Sequence, residues 1–169
     1  MYFIDRLRVF QPNEAQVMMA TLRLQQSRFA EAADALDVAF TGFRTDPWAQ
    51  SRFIDRGLQI ASILSQRDTG LAQRMFAALG SAFAVKANED NRLATRAMMS
   101  KQGDFAGRCV AALAPLEPYF PWAEPLLRLR YDCYQATNHA LSREAYRDLA
   151  AFIANAPRPL IPSAPSGVR

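Results

Sequence analysis

Residues 28–40, which read RFAEAADALDVAF, give the clearest indication of the fold class. Here and just beyond, apolar residues recur at steps of three and four, as on one face of an α-helix: Phe29, Ala32, Leu36, Ala39 and Phe43. The alanines let a neighbouring helix approach closely, while the larger side chains fill the space between helices. Beyond the first ten residues, no convincing two-residue alternation indicates a strand. The pattern therefore predicts an all-α protein.

Turn and breaker residues divide the sequence into about eight predicted helices joined by short connections. We expect them at residues 13–27, 29–43, 48–67, 70–86, 89–102, 105–117, 122–138 and 142–155. Asp46 followed by Pro47 indicates a helix N-terminus, as does Ser142 ahead of the last helix. Because short connections favour antiparallel neighbours, the helices should form about four hairpins.

The second helices of these hairpins align at Ala32, Ala72, Cys109 and Ala145, with a repeat of about 38 residues. The segment FAEAADALDVAF resembles the second helix of a tetratricopeptide repeat, in which an alanine (here Ala32) stands four residues before a large apolar residue (Leu36). In the last unit Ala145 and Leu149 have the same spacing, and Pro157 follows the helix. The resemblance covers roughly 145 residues and implies hairpins stacked as a right-handed superhelix or as a compact bundle.

Three segments are expected along the chain. Residues 1–12 are rich in aromatic residues, so they should pack on the first hairpin as a short helix or strand, or be the end of an upstream domain. Residues 13–156 should form the tetratricopeptide-like repeat domain. Residues 157–169 contain four prolines among thirteen residues, which predicts an extended, disordered tail or a proline-rich ligand for another protein.

The composition indicates a soluble, cytoplasmic, bacterial protein. No stretch reaches the roughly 20 apolar residues that cross a bilayer. Charges at Asp5, Arg6 and Arg8 interrupt the apolar core that a signal peptide needs. The net charge of +4 comes almost wholly from arginine, since Lys86 and Lys101 are the only lysines. This excess of arginine indicates either recognition of phosphate or carboxylate groups or the codon bias of a GC-rich genome.

The sequence offers little for catalysis or metal binding. His139 is the only histidine and is expected at a helix end. No cluster has metal-ligand spacing, and the sequence contains neither a glycine-rich phosphate loop nor a nucleophile elbow. Cys109 and Cys133 lie among apolar residues, which predicts two buried, reduced thiols and a reducing compartment, although their number also allows one disulfide. We therefore expect a protein that is not an enzyme and needs no cofactor or metal.

The resemblance also implies that the first helix of each hairpin lines a concave groove. The residues then expected to bind a partner are Arg52, Arg56, Arg92, Arg96, Arg130 and Tyr134. Three pairings are predicted within helices: Arg52 with Asp55, Arg92 with Glu89, and Arg128 with Glu124 or Asp132. Arg56, Arg96 and Arg130 have no acidic partner in their own helices. They predict a groove for an acidic or C-terminal peptide, or else a solvated face that binds nothing.

The function most consistent with these features is protein–protein interaction, as a scaffold or adaptor that binds a protein or peptide in a helical-repeat groove. An alternative is an accessory C-terminal domain of a larger enzyme or membrane protein, since similar helical repeats resemble the tails of some fused spermidine-synthase-like membrane proteins. Nucleic-acid binding is not expected, because the aromatic residues are predicted on apolar faces rather than beside the basic residues. The oligomeric state is left open.

Overall fold

The computed structural model describes residues 2–102 and 105–155, and every regular element within them is helical. The α-helices of these residues are α1 (Tyr2–Phe10), α2 (Pro12–Gln25), α3 (Phe29–Phe43), α4 (Ser51–Ser65), α5 (Thr69–Ala78), α6 (Glu89–Met99), α7 (Phe105–Leu113), α8 (Glu124–Ala136) and α9 (Ser142–Ala154). Short 3-10 turns occur at Lys86–Asn88 and Ala114–Leu116. The prediction of an all-α chain is confirmed for this part, whereas the predicted tail at residues 157–169 lies outside the described residues.

The even-numbered helices contact one another in succession along the chain. α2 lies against α4, α4 against α6, and α6 against α8. Each of these helices also contacts the helix that follows it, and α3 contacts α5. α1 packs on α2 and buries Ile4 there. Among the helices at residues 2–102 and 105–155, none is both long enough and apolar enough to cross a bilayer.

The first core lies around α3 and explains the alanine spacing of residues 28–40. Leu36 and Phe40 are fully buried, and Ala32, Ala35 and Ala39 are buried beside them. The α4 backbone approaches this face closely at a glycine. A Cβ added to Gly57 would lie 3.1 Å from Cε1 of Phe40, so any larger residue would push the ring away. Small side chains on α3 and α4 thus allow the close approach that the sequence predicts.

The second core contains a covalent link between α7 and α8. Cys109 and Cys133 form a disulfide, with 5.9 Å between their Cα atoms, and both are fully buried. Their burial is as predicted, but the expectation of two reduced thiols is wrong. The apolar neighbours of each cysteine in the sequence indicate burial alone. The pairing depends on α7 and α8 meeting side by side, which is a tertiary contact.

Most helices end within a few residues of their predicted bounds, and α4 and α5 are shorter than predicted because the chain next to them takes part in other contacts. α4 begins at Ser51 rather than at residue 48, since Oδ1 of Asp46 accepts a hydrogen bond from the Trp48 backbone N–H (3.0 Å) in a local turn. α5 ends at Ala78 rather than at residue 86. The chain beyond it runs back to the first core, where the Phe83 side chain is buried.

Capping and proline account for other helix ends. Asp68 caps α5 by accepting a hydrogen bond from the Leu71 backbone N–H (3.0 Å), which agrees with the predicted break at residues 68–70. α7 changes to a 3-10 turn before Pro115, a residue that has no N–H to continue an α-helix. Ser142 was predicted to cap the last helix, but it is the first residue of α9 and its side chain makes no capping bond.

Candidate functional site

α6 presents different residues to α4 and to α5, two of the helices that it contacts. Asn91 and Thr95 are four residues apart, so they lie on one face of the helix, and they line a cavity against α4. Arg92 and Arg96 follow them by one residue each, which rotates them onto the side that contacts α5. The face of α6 that lines an opening therefore carries uncharged residues, and the arginines lie on the adjacent face.

The opening between α4 and α6 consists of two adjoining cavities. One has a volume of about 340 Å³ and is lined by Asp55, Leu58, Gln59, Ser62, Asn91, Ala94 and Thr95. The other has a volume of about 240 Å³ and is lined by Ser62, Ser65, Gln66, Met98, Met99, Lys101 and Gln102. Ser62 lines both cavities, so they adjoin at this residue, and we call the two together the α4–α6 groove. Asp55 lies towards one end of this groove and Lys101 towards the other.

Asp55 is held in place by two asparagines. Its Oδ1 accepts hydrogen bonds from Nδ2 of Asn88 (2.9 Å) and from Nδ2 of Asn91 (3.1 Å). The predicted pair of Asp55 with Arg52 does not form. Arg52 is exposed, and its guanidinium lies 5.1 Å from the ring centroid of Phe53 instead. The end of the groove near Asp55 is therefore ordered by contacts between α4 and the start of α6.

Among the predicted site residues, Arg56 contacts a side chain that lines the groove. Its Nη1 lies 3.5 Å from Oε1 of Gln59, and Gln59 lines the larger cavity. Arg52 stands four residues before it on the same helix, one turn away. Among the residues that the structure describes, neither arginine has a carboxylate partner.

Arg92 and Arg96 take part in contacts within the fold. Arg92 is 4% exposed, forms an ion pair with Glu89 (2.6 Å) and donates a hydrogen bond to the Leu79 carbonyl oxygen, which confirms the predicted pairing with Glu89. This contact lowers the pKa of Glu89 through its hydrogen bond with Arg92. The Arg96 guanidinium lies 4.2 Å from the ring centroid of Phe76, and its Nε donates to the Phe76 carbonyl oxygen (3.3 Å). Burial, with a smaller effect of the Arg92 charge, lowers the pKa of Arg96.

Arg130 lies in the interior, where three carboxylates surround it. Its side chain is 1% exposed, and its nitrogens are 2.6 Å from Glu117, 2.5 Å from Asp148 and 3.6 Å from Glu144. Burial would lower the pKa of Arg130, but the hydrogen bonds with Glu117 and Asp148 outweigh it and raise the pKa. The expectation that Arg56, Arg96 and Arg130 share one exposed surface is therefore wrong. The carboxylates that neutralise Arg130 come from other parts of the chain, not from its own helix.

Tyr134 belongs to the same interior cluster. It is 1% exposed, and its hydroxyl donates a hydrogen bond to Oε1 of Glu117 (3.0 Å). Burial, together with the negative charge of Glu117, raises the pKa of Tyr134 to about 12. Like Arg130, Tyr134 stabilises the contact of α8 with its neighbours and does not line the groove.

The residues of the groove carry no sequence motif, which is why the sequence analysis missed them. Gln59, Ser62, Asn91 and Thr95 are uncharged and common in solvated helices. One signal was available: residues 55, 59 and 62 lie on one face of α4, and residues 91, 95 and 98 lie on one face of α6. The same spacing also joins Arg52 to Arg56 and Arg92 to Arg96 on the adjacent faces, so it does not by itself select the groove over the arginines.

Other chemically active side chains have local structural roles. His139 follows α8, and its Nδ1 accepts a hydrogen bond from the Leu141 backbone N–H (3.3 Å). Residues 2–102 and 105–155 contain no group of three or more His, Cys, Asp or Glu side chains that could hold a metal ion. Comparison of the chain with models of protein families, with curated proteins and with solved structures finds no match.

Proposed function

We propose that this protein is a non-catalytic interaction module that binds a segment of another protein in the α4–α6 groove. The contacts of α2 with α4, α4 with α6, and α6 with α8 support a tetratricopeptide-like stack, since they bring the first helices of successive hairpins side by side. The contact of each of these helices with the next one along the chain supports the same arrangement. In such a stack the first helices form one continuous surface.

The observation that carries the proposal is the pair of cavities that adjoin at Ser62 between α4 and α6. Ser62 and Thr95 supply hydroxyl groups, and Gln59 and Asn91 supply the amide donors and acceptors that their contacts with Arg56 and Asp55 leave over, so the groove can both donate and accept hydrogen bonds. These groups match the N–H and C=O groups of an extended peptide, and as neutral groups they cost less to desolvate than charges do. Small side chains such as Ala94 leave room for the side chains of that peptide.

Charge at the edge of the groove selects among partner segments. Arg52 and Arg56 lie on α4 without a carboxylate partner in the described residues, so an acidic residue of the partner can pair with them. Arg92, Arg130 and Tyr134 do not contribute, because their polar atoms are already used within the fold. The proposed partner is thus a peptide segment bound through its main chain, with an acidic residue near Arg56.

Filling the groove tests the proposal. Peptides that bind the purified chain are selected from a displayed random library, and their affinities are then measured for two variants. Ser62→Arg places a long side chain in both cavities and should weaken binding at least about tenfold. Ser51→Arg makes the same change on α4, about 16 Å away along the helix axis, and should leave the affinity unchanged.

Circular dichroism should show equal helicity for both variants. Peptides that bind Ser62→Arg as tightly as they bind the unaltered chain would place the binding surface elsewhere and refute the proposal.

A further inference from the structure

A second cleft lies between α8 and α9, away from the α4–α6 groove. Its volume is about 600 Å³, within the range of about 300–1,000 Å³ that is usual for small-molecule sites. It is lined by Tyr131, Gln135, Ser142, Arg143, Tyr146 and Arg147. No acidic side chain lines it. We call it the α8–α9 cleft.

The polar side chains of this cleft have no partners in the described part of the chain. Arg143 and Arg147 are exposed, and no carboxylate among residues 2–102 and 105–155 forms an ion pair with either of them. They stand four residues apart on α9, where two like charges repel each other unless an anion neutralises them. The other exposed arginine of this region, Arg128, differs because it is paired with Glu124 (2.8 Å).

Two tyrosine rings form part of the same cleft. The ring centroids of Tyr131 and Tyr146 are 5.7 Å apart, with 50° between the ring planes. Tyr146 is 57% exposed, so its ring offers a free face to a ligand. Here aromatic and basic side chains are adjacent, contrary to the expectation from the sequence that they lie apart. A flat ring can stack on such a face while an anion contacts the guanidinium groups.

From these contacts we infer that the α8–α9 cleft binds a nucleoside monophosphate. A phosphate monoester carries nearly two negative charges and three acceptor oxygens, which match the two guanidinium groups and the hydroxyl and amide donors of Ser142 and Gln135. The base of the nucleotide provides the flat ring for Tyr146. The absence of a carboxylate from the lining favours an anion over a cation, and the cavity volume suits a single nucleotide.

Calorimetric titration of the full chain with four probes tests the ligand class. The probes are AMP, ribose 5-phosphate, adenosine and inorganic phosphate. AMP should bind one site with a dissociation constant below about 1 mM, and the other three probes should bind at least about tenfold more weakly. Ribose 5-phosphate lacks the base, adenosine lacks the phosphate, and inorganic phosphate lacks both the base and the sugar. If AMP binds no more tightly than inorganic phosphate, the ring makes no contribution and the inference is wrong.

Variants locate the site. Arg143→Gln with Arg147→Gln should weaken AMP binding at least about tenfold, since both charge-assisted contacts are lost. Arg6→Gln with Arg8→Gln on α1 changes the net charge equally and should leave AMP affinity unaltered. Tyr146→Leu should weaken the binding of AMP but not that of ribose 5-phosphate. Equal AMP affinity in the two double variants would overturn the assignment to this cleft.

Comparing the affinities for ligands of different length distinguishes a mononucleotide site from a surface that binds a nucleic-acid strand. A site for one nucleotide should gain less than about tenfold in affinity between AMP and a short adenylate oligonucleotide. An affinity that rises steeply with each added nucleotide would identify a nucleic-acid surface, and the inference of a mononucleotide site would then fail.

Discussion

The first core, around Leu36 and Phe40 of α3, and the second core, around Cys133 and Arg130 of α8, differ in the interactions that hold their helices together. The first is built from alanines and large apolar side chains, with Gly57 allowing α4 to approach. The second has fewer large apolar side chains, and it contains a disulfide and a buried ion cluster.

The two cores differ because the spacing of alanines and large apolar residues is clear in α3 and weak in α7. α3 carries the alanine and large apolar spacing that lets helices pack closely, so dispersion and burial suffice there. α7 is short because it ends before Pro115, and it offers less apolar surface to its neighbours. The second core compensates with a covalent bond between α7 and α8 and with a charge cluster that joins α8 to α9 and to Glu117.

The largest loss of stability is expected from a substitution in the first core. Leu36→Ala should lower the free energy of unfolding by about 4 kcal/mol, because the side chain is fully buried and the tightly packed helices leave little room to close the cavity. Val38→Ala on the same helix is the control, since Val38 is 54% exposed and should change stability by less than about 0.5 kcal/mol. Chemical denaturation measures both. Equal stability of the two variants would show that α3 does not pack as described.

Reduction of the disulfide should have the next largest effect. Cys109 and Cys133 are 24 residues apart in the sequence, and opening a loop of that size should lower stability by about 3 kcal/mol. Thermal melting with and without a reductant measures the loss, and the variant with both cysteines changed to alanine should melt the same with or without reductant. Hydrogen exchange should show the loss of protection in α7 and α8 rather than in α3. A melting temperature that does not respond to reductant would contradict the structure of the second core.

Removal of the buried Arg130 cation should lower the free energy of unfolding by less than reduction of the disulfide does. Arg130→Met leaves Glu117 and Asp148 without their cation. These side chains are 17% and 32% exposed, so water can solvate them in part, and Glu117 keeps its hydrogen bond from Tyr134. We expect a loss of about 2 kcal/mol, below the range for fully buried pairs. Arg128→Met removes an exposed pair on the same helix and should cost no more than about 0.5 kcal/mol. If both variants are equally stable in denaturant, the charge cluster around Arg130 adds nothing to the stability of the second core.

The smallest effect on stability is expected from Tyr134, and it is confined to alkaline pH. The pKa of Tyr134 is raised from 10.0 to about 12, so the folded state retains a proton that the unfolded state loses. The unfolded chain thus binds fewer protons between about pH 10 and 12, and stability falls as the pH rises through that window. Tyr134→Phe should remove part of this fall in melting temperature, while the other tyrosines serve as a common background. A parallel pH dependence of variant and wild type would mean that Tyr134 ionises normally in the fold.

Features that depend on neighbours within one turn of helix were predictable. The spacing of Leu36 and Ala39 predicted the buried face of α3, and both residues are fully buried. The pairing of Arg92 with Glu89, and that of Arg128 with Glu124, also formed as expected, because side chains three or four residues apart on a helix are always neighbours. The predicted pair of Arg52 with Asp55 failed because two asparagines from outside α4 compete for the carboxylate.

Features that depend on which helix faces meet were set by tertiary contacts. The amino-acid sequence alone determines that the described part of this chain is helical and which residues of each helix are apolar. It does not determine that Cys109 meets Cys133, that Arg130 meets Glu117 and Asp148, or that Asn91 rather than Arg92 faces α4. Adjacent faces of one helix differ by a rotation of only about 100°, and the choice between them is the sum of many weak contacts made by distant parts of the chain.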